Sequence, residues 1–300
     1  MNLELKTINK SFSEKHVLKG ISLKAESGKA LGLLGRNGAG KTTTIRIIMG
    51  VFPFDSGEVL INGKPIDRNK ISIGYLPEER GLYPKRKVIE QLVYLANLKG
   101  MKTKDAVKAV DYWLDRLGMS EYRNKKLDTL SKGNQQKIQL ITAISYNPDI
   151  VILDEPFSGL DPVNAQLLKD VVHELISKDK IVIFSSHQMN YIQEFCDDIS
   201  IINSGEIAIG GSIKSIIRSY PRNKLVVSSP NIDKISREIK LENKIIKDKL
   251  IITLDKESDK GKFMSDICND YDIDSVSVYE PTLSDIFVEY TKDEITEGKI

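Results

Sequence analysis

The stretch "GRNGAGKT", Gly35 to Thr42, decides the fold. It fits the phosphate-binding pattern G-x-x-x-x-G-K-[ST]. Its surroundings fit too: the strand-like run "ALGLL" precedes it and the helix-like run "TTIRIIMG" follows. Glycines let the backbone curl so that several N–H groups face one anion. Gly35, Asn37, Gly38 and Gly40 form the candidate cradle, with Thr43 at the start of the helix. Lys41 is placed to reach the β- and γ-phosphates of a nucleotide, and the Thr42 hydroxyl to ligate Mg²⁺.

Outward from this loop, short apolar strands alternate with helical stretches. "DIVILDEP" is followed by "PVNAQLLKDVVHELIS", and "KIVIFSSH" by "QMNYIQEFCD". Such alternation predicts a largely parallel sheet covered on both faces. Ligands of such sheets bind at the carboxyl ends of the strands. Asp154 and Glu155 sit at one such end, Asp154 as the magnesium-side carboxylate and Glu155 as a general base for an attacking water. His187 ends the strand "KIVIFSS", which can lie beside the one carrying Asp154, in reach of a γ-phosphate oxygen.

Between about residues 80 and 146 the pattern becomes amphipathic helices, "KVIEQLVYLANLKG" and "TKDAVKAVDYWLDRLG", with no strand. This reads as a helical subdomain inserted into the sheet domain. Within it lies "LSKGNQQ", Leu130 to Gln136, at the start of a helical run. Ser131 is a candidate N-cap, and a helix start attracts an anion. After "YPRN" the predicted order is strand, helix, strand, strand, helix, strand, that of a ferredoxin-like unit. A last helix, "TLSDIFVEYT", opens on the capping pattern of Thr282 and Asp285.

Composition excludes several classes. The chain has 300 residues, and 44 Lys+Arg against 42 Asp+Glu give a net charge of +2, no basis for a nucleic-acid surface. Its 2 cysteines suggest neither a disulfide framework nor a zinc site. No apolar run approaches the roughly 20 residues of a membrane span. If the protein acts at a membrane, another polypeptide must cross it.

The ordered set of phosphate loop, "LSKGNQQ", "ILDEP", "SGLD" and "SSH" resembles the ATP-binding subunit of an ABC transporter, over roughly residues 1–220. The resemblance implies a P-loop NTPase α/β fold of the ABC ATPase type over 1–219. It carries a helical subdomain at about 80–146, with an accessory α+β domain over 220–300. It implies ATP and Mg²⁺ as cofactors, and Phe12 as the aromatic that stacks on adenine. Ser131 and the Gly133 backbone would close over ATP held by a second subunit, itself a copy or a homologue, in a head-to-tail dimer. Ser158–Asp161 would be the loop communicating between subunits, with Asp161 near the nucleotide. An integral membrane permease would be the further partner, placing the chain on the cytoplasmic face of the membrane. The C-terminal segment resembles a domain typical of export systems.

Two features depart from the family pattern. The commonest signature is Leu-Ser-Gly-Gly-Gln, and here Lys132 and Asn134 replace its first Gly and its Gln. Glu78 stands where a glutamine usually contacts magnesium-bound water, so it is counted among both nucleotide and metal candidates. Two other classes remain open: a soluble ABC protein acting on ribosomes or DNA, and a nucleotide-gated module with little turnover. The single phosphate loop and the lack of sustained heptads weigh against the first, and Glu155 against the second.

Overall fold

The structure is a computed structural model that describes residues 1–79, 81–157, 160–186 and 188–291. They form two compact units: Met1–Ser212 with the described residues from Phe287 onward, and Ile213–Ile286.

The first unit begins with β1 (Asn2–Phe12) and β2 (Lys15–Glu26). Next come β3 (Ala30–Gly35), α1 (Lys41–Ile48), β4 (Ser56–Ile61), β5 (Lys64–Pro65) and β6 (Ile73–Leu76). Three helices follow, α2 (Val88–Leu98), α3 (Thr103–Arg116) and α4 (Lys132–Ile144). The chain then returns to strands with β7 (Ile150–Asp154), α5 (Pro162–Ser177), β8 (Ile181–Ser185), α6 (Met189–Phe195), β9 (Asp198–Asn203) and β10 (Glu206–Ser212).

A six-stranded sheet runs in the order β10-β9-β3-β8-β7-β6. Only the β10–β9 pair is antiparallel; β9, β3, β8, β7 and β6 are mutually parallel. β7 and β8 are buried at every residue, as strands covered on both faces must be. Parallel alignment brings the carboxyl ends of β3, β6, β7 and β8 to one edge.

The strand–helix alternation does not predict the second sheet, which is antiparallel and ordered β2-β1-β4-β5. The reason is local. β1 and β2 are joined by a tight turn in which Ser13 takes φ 50°, and so short a link permits only antiparallel pairing. Leu3, Leu5 and Ile8 of β1 join Leu31, Leu33, Ile150 and Ile152 in one core between the sheets.

In the inserted helices, Val88, Leu92 and Ala96 bury one face of α2, and Ala106, Val110, Trp113 and Leu114 one face of α3. α4 is buried more completely, from Gln136 through Leu140 and on to Ile144. Its C-terminal part lies directly on β6: a Cβ at Gly74 would overlap the Ala143 carbonyl.

The second unit holds α7 (Ile213–Ser219), β11 (Lys224–Ser228), α8 (Ile232–Glu238), β12 (Asn243–Ile246), β13 (Lys249–Thr253), α9 (Lys260–Asp270) and β14 (Ser275–Val278). Its antiparallel sheet is ordered β12-β13-β11-β14. That is the ferredoxin-like arrangement the element order predicts. Leu225, Val227, Ile235, Leu250, Ile252 and Ile267 form its own core. The last helix, α10 (Leu283–Thr291), begins as its capping pattern predicts: Thr282 N donates to Asp285 Oδ2 at 2.9 Å, and Asp285 N to Thr282 Oγ1 at 3.1 Å.

The close approach at Gly74 carries a prediction. Gly74→Ala should destabilise the first unit by about 1–3 kcal/mol through overpacking. Thermal unfolding would check it, and an unchanged midpoint would mean that α4 yields freely from β6.

Candidate active site

The site is built on the shared edge of the parallel strands. β3 runs into the phosphate loop, where the backbone turns through Gly38 at φ 81° and Gly40 at φ 119°. α1 follows with no side-chain cap and no acidic residue in its first turn, so its initial N–H groups face outward for an anion. Thr44 ties the helix start down by donating from Oγ1 to the Gly40 carbonyl at 3.0 Å.

Lys41 turns its ammonium back on the loop. Nζ donates to the carbonyls of Gly35 at 2.6 Å and Arg36 at 3.2 Å. Burial pushes its pKa down, against the opposing pull of Asp154, Glu155 and Glu78.

Asp154 ends β7 and is buried; burial pushes its carboxyl pKa up, neighbouring Ser185 and Tyr75 oppose the shift, and Glu78 and Glu155 add to it. Tyr75 of β6 donates its hydroxyl to Asp154 Oδ2 at 3.3 Å. Glu155 is also buried and takes φ 48°, a left-handed conformation that a non-glycine residue adopts only at a cost. Its N–H donates to the Ser185 carbonyl at 2.8 Å, and Ser186 Oγ donates to its Oε2 at 3.1 Å. The end of β8 thus holds both the backbone and the side chain of Glu155.

A cavity of about 820 Å³ brings together Gly35, Asn37, Gly38, Gly40, Lys41, Thr42, Thr43, Glu78, Asp154 and Glu155. Lys15 and Val17 of β2 line it as well. Sequence reasoning missed those two because only the folding of one sheet over the other brings them there. Tyr75 and Ser186 were missed too, although both lie within three residues of a predicted site residue.

Other predicted residues stand elsewhere. Phe12 is not among the described lining residues; its ring, 39% exposed, meets Phe52 edge-on at 5.2 Å. Ser131 caps α4 by accepting from Asn134 N at 3.3 Å. Gly133 lies against the start of α5, where a Cβ would come 3.4 Å from Asn164 Nδ2. Asp161 caps α5 by accepting from the backbone N–H groups of Val163 and Asn164, both at 3.0 Å. His187, Ser158 and Gly159 lie outside the described residues.

The donor set fits a magnesium nucleotide. Glycine N–H groups, an uncapped helix start and the cations Lys15, Arg36 and Lys41 suit phosphates, while the carboxylates of Glu78, Asp154 and Glu155 suit a divalent ion beside them. Among the described residues no group of three or more His, Cys, Asp or Glu side chains can hold a metal by itself.

A curled loop between a buried strand and a helix, with carboxylates at the end of a parallel strand, defines a P-loop ATPase. Comparison with known proteins is more specific. Residues 18–158 match the ABC transporter family, and residues 211–291 match the C-terminal domain of DrrA1-3-like ATP-binding proteins. The chain is 41% identical to an uncharacterized ABC transporter ATP-binding protein, YhaQ, of Bacillus subtilis, covering 96% of this chain and 97% of that one. It is 36% identical to the linearmycin resistance ATP-binding protein LnrL of Bacillus subtilis, over 69% of this chain and 68% of the other. Its fold is similar to that of cbiO1 from Clostridium perfringens, described as part of the ABC transporter complex cbiONQ. That match has a TM-score of 0.61 at 26% identity and covers 72% of this chain and 93% of the other. The chain belongs to the family of ABC transporter ATP-binding proteins, and it binds and hydrolyses ATP.

The loop geometry sets a test. A Cβ at Gly40 would come 2.6 Å from Leu18 Cδ2, and an L-residue at φ 119° is strained by about 1–3 kcal/mol. Gly40→Ala should weaken ATP binding by about tenfold or more, read by calorimetry. Unchanged affinity would show that this curl does not hold the phosphates.

Proposed function

We propose that this chain is the peripheral ATPase of an export system, working as a dimer on the cytoplasmic face of the membrane with a separate permease. The observation that carries the reading is the convergence of the phosphate loop, Lys41, Asp154 and Glu155 on one cavity.

In this reading the loop N–H groups of Gly38 and Gly40 and the Lys41 ammonium bind the β- and γ-phosphates. Lys41 exchanges its carbonyl partners for phosphate oxygens. Thr42, Asp154 and Glu78 hold Mg²⁺, which when bound neutralises charge that develops on the phosphates. Glu155 accepts the proton of the attacking water, oriented by the Ser186 hydroxyl. The family resemblance assigns His187, outside the described residues, to the γ-phosphate. Phe12, partly exposed, stacks on adenine. Asp161 sits in the loop that communicates between subunits.

The other half of each site comes from the second subunit, a copy or a homologue, in a two-fold arrangement. Ser131, Lys132 and Gly133 stand at the start of α4, exposed or half-buried and not among the described lining of their own chain's cavity. A helix start supplemented by a lysine suits a partner's phosphates.

A second cavity of about 810 Å³ supports the permease. It is lined by Arg46, Arg68, Leu95, Leu98, Lys99 and Tyr146. Val51 and Leu98 stand 59% and 65% exposed on it, an apolar surface that a partner would cover. No helix among the described residues is long and apolar enough to cross a membrane. The likeness to a linearmycin-resistance ATP-binding protein and to the DrrA-like C-terminal domain supports the export reading.

Glu155→Gln tests the reading. ATP should bind as in the natural protein while turnover falls by about 10²- to 10⁴-fold. An ATP-bound dimer should then accumulate in light scattering. Turnover within a few-fold of normal would remove Glu155 from the role of base.

A further inference from the structure

α4 buries apolar residues along most of its length, Ile138, Leu140, Ile141, Ala143 and Ile144. Gln139 lies among them, only 3% exposed. A buried carboxamide costs free energy unless its hydrogens find acceptors. This one finds a specific pair: Nε2 donates to the carbonyl of Pro77 at 3.2 Å and to that of Glu79 at 2.9 Å. Those two carbonyls flank Glu78, whose side chain lines the nucleotide cavity.

We propose that Gln139 is a positioning residue of the ATPase site: by holding the backbone on both sides of Glu78, it sets where that carboxylate stands and ties it to the helix that Ser131 opens.

The bonding pattern favours this over simple packing. The loop after β6 has no regular ladder of its own at 77–79, so its carbonyls take their orientation from the donor they meet. A planar amide with both hydrogens engaged fixes two carbonyl directions at once, and so fixes the residue between them. The helix end of the linkage is also stiff. Ala143, one turn along α4, packs against β6 at Gly74 without room for a methyl group. A neighbouring amide on the same helix, Gln136 Nε2, reaches the Pro156 carbonyl at 3.4 Å, next to Glu155. α4 therefore touches the chain beside two of the three carboxylates that face Lys41. Its N-terminus carries the residues assigned above to the second subunit's nucleotide. A shift of α4 when that nucleotide docks would be felt first at Glu78, through Gln139.

The proposal rests on Glu78 belonging to the nucleotide site, and the test separates the two claims. Gln139→Met keeps length and burial but has no donor. It is compared with Glu78→Ala and with the double variant in the otherwise complete chain. Three quantities are read: kcat and KM for ATP, the Mg²⁺ concentration that half-saturates the ATP-induced thermal shift, and the melting point without nucleotide. Gln139→Met should lower kcat by about 10- to 100-fold, the scale of a misplaced site group, with little change in KM. It should also raise the Mg²⁺ requirement, and in the Glu78→Ala background it should change neither. An equal fold-loss in both backgrounds, or a lower melting point with normal turnover, would overturn the proposal and leave Gln139 a packing residue. Glu78→Ala with normal turnover and normal Mg²⁺ dependence would overturn the assignment of Glu78 itself, and the proposal with it. Should the Met variant fail to fold, Gln139→Ala removes the same donors without adding bulk and completes the same cycle.

Discussion

Everything in the first unit is arranged around one half-buried cation. Lys41 holds its ammonium on the carbonyls of its own loop while Asp154, Glu155 and Glu78 act on it from across the cavity. Burial disfavours that charge, and the carboxylates favour it. Across the lining, Glu78, Asp154 and Glu155 stand against Lys15, Arg36 and Lys41. The site is unfinished in its bonding: Lys41 rests on the carbonyls of its own loop. A phosphate chain with a divalent ion supplies both a new partner for Lys41 and a counter-charge for the acids.

The fold is what keeps that unfinished site intact. Asp154 and Glu155 do not drift apart because β7 is buried at every position and the end of β8 grips Glu155 by its N–H and through Ser186. The left-handed backbone at Glu155 is an added cost that those neighbours sustain. Glu78 has no such strand beneath it. Its loop is secured from the side by α4, through the bonds of Gln139 to the Pro77 and Glu79 carbonyls. Strand ends thus hold Asp154 and Glu155, and the helical insertion holds the loop that carries Glu78.

Much of this was legible in the sequence, for identifiable reasons. The phosphate loop was readable because only glycines take φ values such as 81° and 119° without cost, and the sequence spells them at fixed spacing. β7 and β8 were readable because strands buried on both faces leave continuous apolar runs. The C-terminal unit was readable from element order, and its sheet order confirms the ferredoxin-like type. The antiparallel sheet was not readable, since the pairing of β1 with β4 joins residues far apart in sequence. Nor was the placement of β8 between β3 and β7. Tyr75, Ser186 and Gln139 escaped for the same reason: each acts through a partner that only tertiary packing brings close. Ser131, Gly133 and Asp161 stand out in the sequence, and within one chain the structure shows Ser131 and Asp161 as helix caps and Gly133 packed against α5.

The central claim is that Lys41 waits on its own loop for a phosphate. A crystal structure with Mg²⁺ and a non-hydrolysable ATP analogue tests it most directly. Lys41 Nζ should leave the carbonyls of Gly35 and Arg36 and lie within hydrogen-bond distance of β- and γ-phosphate oxygens. Asp154 should then reach the metal directly or through one water. A nucleotide bound with Lys41 still on those carbonyls, or bound away from this loop, would contradict it.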